Sequence, residues 1–88
     1  MPRYIIERNV GEVSQEELEA AGKKSVEVLG GMPELTWVRS FVSVAEGKIY
    51  CEYEAPNPDI LREHARRVGI PCDKISLVAM EVDPSMFH

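Results

Sequence analysis

Two segments of this chain carry both a helix start and a helix stop, and their positions leave little but strands in between. The first begins at Ser14, whose hydroxyl forms a capping box with the carboxylate of Glu17, each satisfying a backbone N–H that the first turn leaves free. Glu16, Glu17 and Glu19 suit the positive end of the helix dipole. Leu18, Ala21, Gly22, Ser25, Val28 and Leu29 recur along one face at helical spacing. Gly30-Gly31 supplies a left-handed stop, and Pro33 forbids continuation. The second helix begins at Asn57-Pro58-Asp59, with Asn57 as N-cap and Pro58 in the first turn, where its missing N–H is harmless. Arg66 and Arg67 complement its carboxyl end, Gly69 caps it and Pro71 blocks extension. Its inward stripe takes Ile60 or Leu61, His64 or Ala65, and Val68.

The remaining stretches are strand-like. Arg3–Val10 is β-prone and ends at Gly11, with Ile5 and Ile6 on opposite faces as in a central strand. Leu35–Ala45 and Lys48–Ala55 read as a hairpin turning at Glu46-Gly47. That turn sets Arg39 opposite Glu54, Val42 opposite Cys51 and Ser40 opposite Tyr53. It places Trp37, Phe41, Tyr50, Glu52 and Glu54 on one face and Val38, Ser40, Val42, Cys51 and Tyr53 on the other. A last strand runs from about Ile75 to Val82 and ends at Asp83-Pro84.

The order βαββαβ predicts an α+β, ferredoxin-like domain over residues 1–84, with 85–88 as a short C-terminal tail. Right-handed crossovers put two helices on one face of a four-stranded antiparallel sheet. The other face is left with Trp37 and Phe41 uncovered, and a homodimer formed through that face is the simplest cover. Size points the same way, because an 88-residue fold buries only about 60–65% of the surface its unfolded chain exposes.

Charge and patterning exclude several classes of function. Ten basic against fifteen acidic residues give a net charge of −5, which lacks the electrostatic footprint of a nucleic-acid binder. No apolar run approaches the roughly 18 residues of a membrane span. The opening Met1-Pro2-Arg3-Tyr4-Ile5-Ile6-Glu7 meets an acid too early for a secretory leader, so a cytoplasmic location is expected. Cys51 and Cys72 are not spaced as a CxxC and are too few for a disulfide scaffold, so both read as reduced thiols. No phosphate loop, HExxH or GxSxG motif is present.

Candidate chemistry rests on few side chains. His64, near the inward stripe of the second helix, is either a metal ligand or proton shuttle, or a boundary histidine held by one hydrogen bond. Cys51 offers a thiolate that could share a borderline metal with His64, or behaves as a small buried hydrophobe. Glu52 and Glu54 share a face two residues apart, suiting a divalent ion or ion pairs such as Arg39–Glu54. Cys72 sits in a loop without a nearby base, and Met86 and His88 are potential ligands at the free end. Trp37, Phe41, Tyr50 and Glu52 could also line a cavity between two sheets, as in small dimeric α/β-barrel monooxygenases and isomerases, an analogy from fold alone. A purely structural or interaction module is the third reading.

Several stretches together resemble one known group: Tyr4-Ile5-Ile6-Glu7-Arg8, Ser14-Gln15-Glu16-Glu17-Leu18, Trp37-Val38-Arg39-Ser40-Phe41-Val42, Tyr50-Cys51-Glu52-Tyr53-Glu54-Ala55-Pro56, and the run from Ile60 to Pro71 containing Arg62-Glu63-His64-Ala65. The chain is similar, from Pro2 to Asp83, to a family of small bacterial ferredoxin-like domains of unknown function that includes a nickel-binding protein. The resemblance implies a homodimer and a bound nickel or similar divalent ion, held for sequestration or storage rather than catalysis. Inside the matching motifs the metal-competent residues are Cys51 and His64, with Tyr50, Tyr53 and Glu54 alongside; a metal site on this reading takes the imidazole of His64, the thiolate of Cys51 and the carboxylate of Glu54.

Overall fold

The computed structural model describes residues 1–87. Expectations for His88 therefore lie outside the described residues. The elements are β1 (Arg3–Asn9), α1 (Gln15–Leu29), β2 (Thr36–Ser43), β3 (Lys48–Glu54), α2 (Pro58–Val68), β4 (Lys74–Leu77) and a 3-10 turn (Pro84–Met86). The strands form one antiparallel sheet in the order β2-β3-β1-β4, the ferredoxin-like arrangement. Tyr4, Ile6, Cys51, Tyr53, Ala55 and Leu61 anchor the core between sheet and helices.

Both helix starts form as their residues dictate. Ser14 Oγ accepts from the Glu17 N–H at 3.1 Å while the Glu17 carboxylate accepts from the Ser14 N–H at 3.0 Å. Asn57 caps α2 by accepting from the Ile60 N–H at 3.1 Å. Leu61, His64, Ala65 and Val68 are the buried residues of α2, and Gly69 ends it at φ 84°. The end of α1 differs from expectation. Gly30 is right-handed at φ −58°, and the helix instead tightens through short-range bonds from Gly31 to Val28 and Met32 to Leu29 before Pro33 stops it.

The hairpin register also differs. Ser43 pairs with Lys48, so the connection is the four residues Val44–Gly47 and not a two-residue turn. A tertiary contact holds this loop: the N–H groups of Val10 and Gly11 both donate to the Gly47 carbonyl, at 2.9 and 3.0 Å. Gly47 sits at φ +65°, and a Cβ there would meet Gly11 Cα at 2.9 Å, so the approach requires glycine. With the longer loop, Arg39 lies opposite Glu52, Ser40 opposite Cys51 and Phe41 opposite Tyr50. A bulge at Val38 then turns Trp37 onto the helix side, opposite Tyr53. Trp37 stacks on Tyr53 with ring centroids 6.4 Å apart, and its Nε1 donates to Ser40 Oγ at 2.9 Å. The tryptophan expected on the uncovered face is absent from it.

β4 is shorter than expected because its partner runs out. Leu77 pairs with Tyr4, the Val78 N–H reaches the Arg3 carbonyl at 2.9 Å, and beyond that β1 has ended.

Candidate functional site

Alternation along β1 and β3 divides the candidate residues between two faces. Arg8, Cys51 and Tyr53 point to the helix layer and are buried, whereas Glu7, Glu52 and Glu54 occupy the other face and are half-buried. Cys51 and Glu54 therefore lie on opposite sides of the sheet. Within one chain the structure does not gather His64, Cys51 and Glu54 into a single site. Among the described residues, no group of three or more His, Cys, Asp or Glu side chains is placed to hold a metal ion.

On the helix side, His64 is 1% exposed and reaches from α2 to α1, where its Nε2 lies 3.2 Å from the Ser25 carbonyl oxygen. A carbonyl only accepts, so Nε2 carries the proton. Burial depresses the imidazole's basicity below its ordinary value, partly offset by the Ser25 carbonyl. His64 packs edge-on against Tyr53, with centroids 5.8 Å apart. Cys51 is also buried, and its Sγ accepts from Arg8 Nε at 3.4 Å. Both residues therefore flank the Tyr53 ring in the core, each with an existing partner.

Arg8 is the functional-looking residue that the sequence reading passed over. It is 1% exposed, and besides Cys51 it donates from Nη1 to the Pro71 carbonyl at 2.7 Å and from Nη2 to Tyr53 Oη at 3.3 Å. Burial pushes the Tyr53 phenol up to about 12, against the opposing pull of Arg8, so it is neutral at pH 7. The available signal was alternation: an arginine two positions beyond Ile6 on a central strand must share its buried face.

The uncovered face is laced with charge pairs. Glu52 lies 3.1 Å from Arg3 Nε and 3.8 Å from Arg39 Nε, and Glu7 lies 3.6 Å from Lys48 Nζ. The expected Arg39–Glu54 pair is replaced by Arg39–Glu52, a consequence of the shifted register. Among the described residues, no cation is within ion-pair distance of Glu54. Phe41, Tyr50 and Ile5 are the apolar side chains here; without Trp37, the aromatic lining pictured for a barrel cavity is incomplete. Cys72 is half-buried, and burial raises its thiol pKa.

Comparison with known proteins agrees with this architecture. No curated protein matches the chain. Among solved structures, the crystal structure of SCO4226 from Streptomyces coelicolor A3(2) is similar, with a TM-score of 0.79 at 18% identity over 91% of this chain and 99% of that one. The family model described as nickel responsive protein SCO4226-like matches residues 4–78, from the first buried tyrosine of β1 to just past β4. With most of its length under that match, the chain belongs to the SCO4226-like family of nickel responsive proteins.

Proposed function

We propose that the chain is a small homodimeric protein that binds nickel, or a similar divalent transition metal, for sequestration or storage rather than catalysis. Membership of a family named for its nickel response carries this reading. The uncovered sheet face supports the dimer, because Phe41 there is 62% exposed beside Tyr50. The donors we assign are His64, Cys51 and Glu54. Of the three, Glu54 alone meets an ion from bulk water without losing a present partner. It is therefore the entry ligand, and a second copy across the dimer axis would bring a second Glu54 to the same face. His64 and Cys51, on the other side of the sheet and now held by Ser25 and Arg8, would supply nitrogen and sulfur donors to a separate ion when the helix layer opens.

Calorimetric titration of the untagged protein with Ni²⁺, alongside light scattering, tests the reading. Saturable nickel binding by a dimer, weakened by Glu54→Gln, is the expected result. A His64→Ala or Cys51→Ser variant that binds as tightly as the parent removes that residue from the ligand set. A parent that binds no nickel overturns the function.

A further inference from the structure

Among the described residues, Arg8 is the one arginine of six with no carboxylate within 4 Å, and it is the only buried one. Arg3, Arg39, Arg62, Arg66 and Arg67 all lie at the surface against Glu or Asp side chains. Taking a guanidinium out of water has an effective cost of several kcal/mol unless an opposite charge and further hydrogen bonds compensate. Arg8 is given only a sulfur, a backbone carbonyl and a neutral phenol. Three of its five N–H donors are thereby used, and among the described residues the charge faces no carboxylate.

Beside it lies a cavity of about 490 Å³ between the first half of α1 and the helix-side face of the hairpin. The space exists because α1 covers the sheet with small residues, Ala21 and Gly22, and only Ser25 of that helix is buried. Leu18, Trp37, Val42 and Ile49 give the lining its apolar character, while Arg8, Tyr53 and Cys51 supply the polar part. Glu17 also borders it, but its carboxylate is engaged with the Ser14 backbone N–H. The volume falls within the usual range for small-molecule sites, which pair apolar walls with a few fixed polar groups.

We infer that this cavity binds a small organic monocarboxylate with an apolar body, its carboxylate on Arg8 and its body under α1 against Trp37. Charge decides the class. One buried cation balances a monoanion, whereas a phosphate dianion would leave an excess negative charge in the core. Glu54 lies on the opposite side of the sheet, but Cys51 both lines this cavity and is assigned as a nickel donor, so the titrations are run without metal and their outcome is read apart from nickel binding.

Trp37, the sole tryptophan, lines the cavity and reports occupancy by fluorescence. The full chain is titrated with 3-phenylpropanoate and octanoate, and in parallel with the corresponding neutral amides. The expected result is saturable binding that favours the acid by about tenfold or more over its amide, because a charged hydrogen-bonded pair replaces a neutral one. Arg8→Met should erase that preference. Gly22→Leu keeps Arg8 but fills the cavity, since a Cβ at Gly22 meets nothing within 4 Å, and should weaken acid and amide alike. Should Arg8→Met not fold, the acid-to-amide ratio and Gly22→Leu decide. Absence of saturable binding, equal affinity for acid and amide in the parent, or undiminished binding by Gly22→Leu each overturns the proposal.

Discussion

Nε2 of His64 lies 3.2 Å from the carbonyl oxygen of Ser25, and this polar contact ties α2 to α1 inside the core. It explains how a histidine can be 1% exposed, because the imidazole is neutral, protonated on Nε2 and satisfied by a backbone acceptor. His64→Ala removes that bond and leaves a void beside Tyr53. It should destabilise the fold by about 2–4 kcal/mol, measured by urea unfolding.

The same residue sets an acid limit. Burial holds the folded imidazole below its ordinary value of 6.5, so just below that pH the unfolded chain binds more protons than the native one. Stability is therefore full above pH 6.5 and falls as the pH drops below it, until the folded imidazole itself protonates. Glu63 acts in a lower window: Arg66 and then Arg67 hold its carboxylate at about 2, so its contribution is lost only below the ordinary 4.5. Unfolding free energies at pH 7.5 and pH 5 should differ in the parent, and the difference should shrink in His64→Gln.

Two glycines should respond oppositely to alanine. Gly47→Ala meets both a left-handed backbone and the Gly11 backbone at 2.9 Å, and should cost about 1–3 kcal/mol. Gly22→Ala adds a methyl in open space within α1 and should stabilise by about 0.5–1 kcal/mol. Thermal unfolding of the two variants side by side checks the contrast.

The two thiols should react at different rates. Cys51 is 5% exposed and held by Arg8, whereas Cys72 is half-buried in the loop before β4. Under native conditions iodoacetamide should label Cys72 first, with Cys51 protected until the core opens, as read by peptide mass mapping.

Trp37 owes its place to the bulge. The bulge acts by taking Val38 out of the ladder, and deleting Val38 makes Trp37 the direct neighbour of Arg39, so that strict alternation still sets the indole opposite Tyr53 on the helix side. The variant should keep the parent's tryptophan emission maximum, and a red shift to that of a solvent-exposed indole counts against the bulge as the device that seats Trp37.

Element order, both helix starts and the buried stripe of α2 were legible in the residues, because caps, prolines and helical spacing act over three or four positions. Ser14 with Glu17, and Asn57 with Pro58, state their roles locally. The register of the hairpin was not legible. It depends on Gly47 docking against Gly11, residues 36 apart in the chain, and on one extra residue at Val38. Since side chains alternate every residue along a strand, that single insertion was enough to send Trp37 to the opposite face.

The candidate donors divide the same way. Sequence alone put His64 on or beside the inward stripe, Cys51 and Tyr53 on one face, and Glu54 on the other. Only the tertiary structure decided what each one meets: Ser25 for the imidazole, Arg8 for the thiol, and no cation among the described residues for Glu54. It also decided that the most deeply buried charge, Arg8, has no carboxylate beside it among the described residues. Partners across a core are set by how helices seat on a sheet, and α1 seats on small residues that leave a cavity no local pattern announces.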